Sequence, residues 1–551
     1  DNISGETDVP LFTTYIDSIF AGATSDMVQL RYTWAISPDA TIIKEGDEFG
    51  KLKVVTATQE KLILKNKHNF SLNQGITINI IGNIKFKIAD SSELRYYPVA
   101  IKTTTAPWEA SALKLDGSKN NIISNVNISN SNIGIYLSSS SNNHLTGNTV
   151  NSNNYGIYMC YSSNYNILTN NNASNNYYGI CLYDSSNNTL TNNNASNNYD
   201  CGIYLYESSN NTLTNNMMSE NTYNFGVYGY MFFGYINDID TSNTVDGKPI
   251  YYWVGQVDKQ IPGDAGFVGV VNCANITVKD LTLTNNMHGV LFVYTENSRI
   301  ENVNASNNGY GIYLSPSSNN TLTNNNASNN LYGIYLWDAV DNTLINNNAS
   351  NNYYGIRLYY SSNNTLTNNN ASNDLYGIYL HTLSNNNALT RNIASNNRYG
   401  IELHYSSSNN ALYHNNLVEN TRNAYDEGHN NSWDNGYPSG GNYYSDYTGT
   451  DNNDDGIGDI MYPIPGGDSV DRFPLMHLWE ETPSEKGDVN GDGAVDMDDV
   501  YLLLNHVGDP AAHPIENENA ADVNCDGSVD MGDVILLLNH LGDPGRYVIG
   551  C

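Results

Sequence analysis

The residues with the clearest chemistry are two acidic loops near the C-terminus. In the first, Asp488, Asn490, Asp492, Asp496 and Asp499 bracket Ala494. In the second, Asp522, Asn524, Asp526, Asp530 and Asp533 bracket Ser528. Oxygens at loop positions 1, 3, 5, 7, 9 and 12 wrap a hard divalent cation such as calcium, and a glycine at position 6 allows the sharp turn. Ala494 and Ser528 fall at position 7, where the backbone carbonyl ligates. Each loop runs into an apolar stretch expected to be helical, Val500–Val507 and Val534–Leu541. A third loop, Asp451, Asn453, Asp455, Ile457 (carbonyl) and Asp459, repeats positions 1 to 9 with no carboxylate at 12 and no helix after it. It is expected to hold a structural calcium.

The elements around these loops follow from a repeat. Gly134, Gly156, Gly179, Gly202 and Gly226, then Gly289, Gly311, Gly333, Gly355, Gly377 and Gly400, recur mostly at steps of 22 or 23 residues. In the run 319–340, Ile334 and Leu336 alternate with Tyr335 and Trp337, a strand pattern. Thr321–Thr323 reads as a second short strand, and the Asn clusters between suit tight corners. Short strands and Asn corners at fixed length stack into a right-handed parallel β-helix with coils of 22–23 residues. About a dozen coils at ~4.8 Å predict one rod roughly 55–60 Å long. Residues 1–105 lack the repeat. Their alternating runs Lys51–Thr56, Leu62–Leu64 and Ile76–Ile80 read as antiparallel strands of a compact β domain. The expected organisation is 1–105, the β-helix 106–478, a polar linker 479–487 and a small α unit 488–551.

Catalytic groups on such a rod would lie at the outward positions of its coils. No two carboxylates fall on adjacent coils two or four residues after the glycine, and Arg357, His381, Glu402 and His404 form the one polar cluster. His381 and His404 sit at equivalent places one coil apart, a spacing that suits a shared copper or zinc. Tyr310, Tyr332, Tyr354, Tyr376 and Tyr399 each precede a repeat glycine. Such a row could stack on sugar rings or on a neighbouring subunit, or simply on itself. The N-x-S/T acceptors for glycosylation are Asn69, Asn127, Asn172, Asn187, Asn194, Asn210, Asn275, Asn304, Asn319, Asn326, Asn348, Asn363, Asn370 and Asn430. Cys160, Cys181 and Cys201 lie in successive repeats, close enough for one bridge, and Cys551 could pair between chains.

Of 551 residues, 57 are Asp or Glu and 24 are Lys or Arg, a net charge of −33. That balance disfavours nucleic acid and anionic membranes as partners. No apolar stretch reaches the ~20 residues a membrane span needs. Starting at Asp1 without Met, the chain is read as a processed, secreted product, extracellular and at the cell surface.

Three resemblances follow from these residues. The paired loops with their helices resemble a dockerin domain, which implies calcium and docking onto a cohesin-bearing surface protein. Gly441–Asp446, the third acidic loop, Tyr462–Pro465 and Asp471–Leu475, with Asn243–Tyr252 and Ala265–Val268, resemble the NosD-like β-helix family, associated with copper delivery and with carbohydrate-binding β-helices. Asp17–Phe20, Gly46–Val54, Phe86–Asp90 and Leu94–Pro98 resemble the S-layer duplication domain of methanogenic archaea, which builds the outer protein lattice. Together they imply a non-enzymatic, glycosylated surface component of an S-layer, sheath or filament. It would self-associate through calcium-dependent dockerin and end-to-end β-helix contacts. The alternatives are a dockerin-tethered polysaccharide-binding rod, a carbohydrate-active enzyme, and a copper carrier.

Overall fold

The computed structural model describes residues 111–479, most of 486–549, and the backbone of six strands between residues 27 and 102. Asn69, Asp492, Cys551 and residues 480–485 lie outside the described residues. The chain divides into two compact units, Asp1–His477 and Leu478–Cys551.

The first unit is a parallel β-solenoid. In one coil, Thr321–Thr323 and Tyr332–Trp337 are strands, and Asn319, Asn324 and Asn329 make corners at φ of 54°, 56° and 59°. Asn tolerates this left-handed conformation better than most residues. Leu322, Ala327, Ile334 and Leu336 point inward and are fully buried. After each corner comes a buried asparagine: Asn320, Asn325 and Asn330. The Asn325 backbone N–H and Nδ2 both donate to Asn347 Oδ1 of the next coil, at 3.0 and 2.9 Å. Asn325 Nδ2 also donates to the Ile300 carbonyl of the coil before, at 2.9 Å. Repeated coil after coil, these ladders satisfy corner amides that would otherwise be buried without partners. The repeat glycine is a close-approach position: a Cβ on Gly333 would lie 2.5 Å from the Gly355 carbonyl and 2.7 Å from Asn352 Nδ2.

The single rod expected from the repeat is two stacks. The wide strands form a six-stranded sheet from Ser111–Asp116 to Tyr223–Tyr228, then an 11-stranded sheet running to Arg422–Asp426. Gly226 is not a repeat glycine. Ile203 pairs with Phe225 and Tyr204 with Gly226, so Asn224 occupies the slot of Gly202. Asn423 does the same after Gly400 at the end of the second stack. A Cβ is tolerated there because no equivalent coil follows. Both ends share one cap. Asn221 Nδ2 donates to Asn224 Oδ1 and Asn224 Nδ2 to Asp246; Asn420 Nδ2 donates to Asn423 Oδ1 and Asn423 Nδ2 to Asp446. At the junction, Phe225 packs edge-on against Phe267 at 5.0 Å. Outward-facing Leu291, Val293 and Tyr313 of the second stack are buried in the core of the first. Residues 427–475 fold over the far end, burying Trp433, Tyr444 and Ile464.

The N-terminal strands also differ from expectation. Leu52–Ala57 and Leu62–Asn66 are antiparallel. Ile76–Ile81, however, is parallel to Met27–Arg31 and to Val99–Lys102, which pairs in parallel with Val126–Ser129 of the solenoid. Alternation marks a strand but not its direction.

In the second unit, helices Met497–Gly508 and Met531–Gly542 start three residues before the apolar stretches, because Asp496 and Asp530 cap them. Val489, Val500, Leu503, Ala521, Val523, Val534 and Leu537 form its core. No helix among the described residues is long and apolar enough to cross a membrane.

Candidate functional site

The wide outer face of the second stack carries three in-register columns of side chains. In the first, Tyr310, Tyr332, Tyr354, Tyr376 and Tyr399 are half-buried. Their rings stack on one another, with centroids 4.7, 5.1, 4.9 and 4.7 Å apart and interplanar angles of 5°, 6°, 13° and 25°. The row is present, but its ring faces are closed by neighbouring rings, so it offers sugars edges and hydroxyls rather than a flat platform. The ~4.8 Å coil rise sets this, since it nearly matches an aromatic stacking distance. Burial pushes the Tyr335 and Tyr354 hydroxyls up to about 12. Arg357 replaces a tyrosine in the second column, its guanidinium 4.8–5.8 Å from the rings of Tyr332, Tyr335, Tyr354, Tyr359 and Tyr379.

The polar cluster is larger than the repeat indicated. Glu402, 1% exposed, receives Arg422 Nε and Nη2 at 2.9 and 2.5 Å. His404 Nε2 lies 3.0 Å from Glu402, and its Nδ1 3.1 Å from Glu427. The Tyr425 hydroxyl donates to Glu427 at 2.8 Å. Two carboxylates from adjacent coils therefore do converge, through Glu427, which lies just beyond the last repeat strand where periodicity has no purchase. The Tyr425 and His404 contacts hold Glu427 below the usual carboxylate range. His381 pairs in register with His404, as the spacing requires. Both His404 nitrogens face carboxylate oxygens, and His381 Nδ1 is 2.5 Å from Thr382 Oγ1. Burial, Arg357 and His404 push His381 down to about 4.

Two buried titratable residues escaped the sequence reading. His288 lies between Tyr310 and Tyr313, and burial pushes it down to about 3. Asp374 takes an asparagine's place in a corner ladder, accepting from Asn352 N at 2.6 Å, with Oδ2 buried and unpartnered among the described residues. Burial pushes its carboxyl up to about 8.

In the second acidic loop, Asp522 accepts from the Asp526 and Gly527 amides, both at 3.1 Å, and Asp526 from Ser528 N at 3.0 Å. Position 12 is buried in both loops. Asp499 accepts from Val489, Asn490 and Asp496, and Asp533 from Asn524 and Asp530. The third loop has the same pattern: Asp451 accepts from Asp455 and Gly456, and Asp455 from Ile457. Among the described residues no three His, Cys, Asp or Glu side chains converge as a ready metal cluster. The oxygen-only donor sets of these loops nonetheless fit a hard cation in kind and spacing.

Cys160, Cys181 and Cys201 are free and buried, not bridged. They fall four residues after, two after and one before their glycines, so none stacks on another. Cys525 is disulfide-bonded.

Five stretches match four known families. Residues 1–90 match the S-layer protein family, 111–251 the right-handed beta helix region, 237–398 and 368–449 the periplasmic copper-binding protein (NosD) family, and 486–542 the dockerin type I domain. The chain is 34% identical over 127 residues to a major S-layer protein of Methanosarcina barkeri, covering 22% of this chain and 19% of that one. It is 35% identical over 106 residues to that of Methanosarcina acetivorans, covering 19% and 16%. The protein is an extracellular cell-surface protein. It thus spans less than a fifth of the length of these curated relatives. Among solved structures, a periplasmic alginate epimerase mutant matches at 14% identity and TM-score 0.26, covering 67% of this chain and 78% of that one. Pectate lyase Pel9A matches at 15% and 0.21, covering 56% and 72%. At such scores the likeness carries nothing about chemistry.

Proposed function

We propose that this protein is a structural component of a cell-surface layer, joining an S-layer-type region, a solenoid and a dockerin in one chain, and that it is not an enzyme. The observation that carries this reading is the self-satisfied outer face: tyrosines stack on tyrosines, and Glu402, Glu427, His404 and Arg422 neutralise one another.

Assembly runs through the terminal regions. End-to-end strand pairing is disfavoured at the far end of the solenoid, which residues 427–475 cover. The dockerin helices expose Met497, Tyr501 and Leu504, and at the same places Met531, Ile535 and Leu538. This apolar surface suits a cohesin-bearing partner. Calcium would be held by Asp488, Asn490, Asp492, Ala494 (carbonyl), Asp496 and Asp499, and by Asp522, Asn524, Asp526, Ser528 (carbonyl), Asp530 and Asp533. The third loop would hold one through Asp451, Asn453, Asp455, Ile457 (carbonyl) and Asp459. Calcium supplies charge neutralisation that lets each loop close.

Electron microscopy of cell-surface material and purified protein, with calcium and with EDTA, tests the reading. Ordered sheets or fibres that fall apart in EDTA support it. Product release from a panel of polysaccharides sinks it. Arg357 and the tyrosine hydroxyl edges favour a second reading as a polysaccharide-binding rod, which glycan-array binding by particles that do not assemble would support.

A further inference from the structure

Eleven of the acceptor asparagines fall into two columns with different chemistry; Asn127 and Asn172 continue the first column but make no side-chain hydrogen bond among the described residues. Asn194, Asn304, Asn326, Asn348 and Asn370 belong to N-A-S sequons that follow the short strands, bridged coil to coil along one edge. Each Oδ1 accepts from its sequon serine, but Nδ2 is engaged only in Asn326, Asn348 and Asn370; Nδ2 of Asn194 and Asn304 makes no hydrogen bond among the described residues. Nδ2 of Asn326, Asn348 and Asn370 each donates at 3.1 Å to the Oδ1 one coil back. The sequon serines are buried, and each donates its hydroxyl to its own asparagine, as Ser306, Ser328 and Ser350 do at 2.7 Å. From Asn304 to Asn370 they recur on every coil, leaving ~4.8 Å between attachment points.

The second column is Asn187, Asn210, Asn275, Asn319, Asn363 and Asn430. All are corner residues with φ between 53° and 58°, and all are exposed except half-buried Asn187. Asn187, Asn210, Asn319, Asn363 and Asn430 make no side-chain hydrogen bond among the described residues. Asn275 makes one, to Asp258 at 2.7 Å, which a substituted amide can keep with its remaining N–H. The equivalent corners between 275, 319 and 363 are Asn297, followed by Ser-Arg, and Asp341. Sequons in this part of the column therefore fall on alternate coils, ~10 Å apart, with room for a saccharide at each, whereas Asn187 and Asn210 lie on adjacent coils, ~4.8 Å apart.

We infer that N-linked glycans are attached to the corner column, at Asn187, Asn210, Asn275, Asn319, Asn363 and Asn430, while the N-A-S ladder stays unmodified. The inference rests on the extracellular placement and deepens the structural reading, giving each stack one sugar-bearing edge. The donor is a lipid-linked glycosyl phosphate. The bond between the sugar's C1 and the phosphate oxygen breaks, the bond from Nδ2 to C1 forms, Nδ2 loses one proton and the lipid phosphate leaves.

Site-resolved mass spectrometry of the protein purified from its native cell surface tests this. Expected is glycan at corner sites and bare peptide at Asn304, Asn326, Asn348 and Asn370. Equal or greater occupancy of those four, or no glycan anywhere, overturns the inference. Thr321→Val and Thr365→Val remove the sequon hydroxyl at exposed strand positions without touching the corner. Each should abolish glycan at Asn319 or Asn363 alone, and retention overturns the assignment. Surface labelling of intact cells separates the two readings: an unglycosylated protein at the surface sinks this inference and leaves the structural role standing.

Discussion

The solenoid and the C-terminal unit are both built from duplicated sequence, yet they achieve stability differently. The solenoid buries an apolar layer in every coil and ties each corner to the next with asparagine ladders. The C-terminal unit has eight buried apolar residues among those described, and two acidic loops. A core that small is marginal on its own. Repetition supplies neighbours in one region; in the other, on the proposed reading, a cation takes their place.

The largest expected effect follows directly. Removing calcium should unfold the C-terminal unit and leave the solenoid intact. Each saturated loop adds about 4 kcal/mol when calcium exceeds its Kd roughly a thousandfold. Hydrogen exchange on the full chain with EDTA should show protection lost in Met497–Gly508 and Met531–Gly542 and retained in strands such as Tyr332–Trp337. Equal protection in both conditions would show the small core to be sufficient.

Within the solenoid, Asn347→Ala removes the acceptor of the Asn325 N–H and Nδ2. Each orphaned donor costs about 1–3 kcal/mol. Denaturant melts should register that loss, and a change under 1 kcal/mol would mean the ladders are decoration on an apolar core.

Asp374 is a natural defect in the same ladder design. Its folded pKa of about 8 lies above the ordinary 3.8, so the fold keeps a proton that the unfolded chain releases. Stability should therefore fall as pH rises from about 4 to about 8 and level off above that. Asp374→Asn restores the amide found at Asn352 and Asn397. It should flatten that slope and add about 1–3 kcal/mol at pH 8. A variant with the parent's pH slope would place the titrating group elsewhere.

These cases show what the sequence discloses. Strand order, inward residues and corners follow from the 22–23-residue period, because each coil repeats one environment. The repeat misleads where the environment changes. Gly226 imitates a repeat glycine although Asn224 holds the slot, since a last coil has nothing above it to exclude a Cβ. Glu427 and Arg422 complete the His404 cluster from outside the Gly motif. Asp374 differs from its ladder neighbours by one atom type, and only burial discloses the cost. Strand direction at Ile76–Ile81 is invisible to alternation because both pairings alternate alike.

The smallest expected effect sharpens the comparison most, because it moves a loop from one region into the other. Asp451–Asp459 and Asp522–Asp530 share their local backbone. Position 4 has φ of 57° at Asp454 and 62° at Cys525, and position 6 has 82° at Gly456 and 87° at Gly527. Position 12 differs: Asp533 is a buried carboxylate, whereas Tyr462 sits at the same spacing with its hydroxyl on Asp446. With one charged ligand fewer, the solenoid loop should bind calcium at least tenfold more weakly than the dockerin loops. It should also matter less, because Ile457 and Leu475 already anchor it to the cap. Asp451→Ala should cost about 1 kcal/mol and abolish calcium-dependent protection of the Gly456 amide. A calcium titration followed by hydrogen exchange would show two midpoints, the higher one belonging to residues 451–459. If those residues ignore calcium while 522–533 respond, the shared backbone is a turn that aspartates make for themselves, and position 12 decides whether such a turn becomes a cation site.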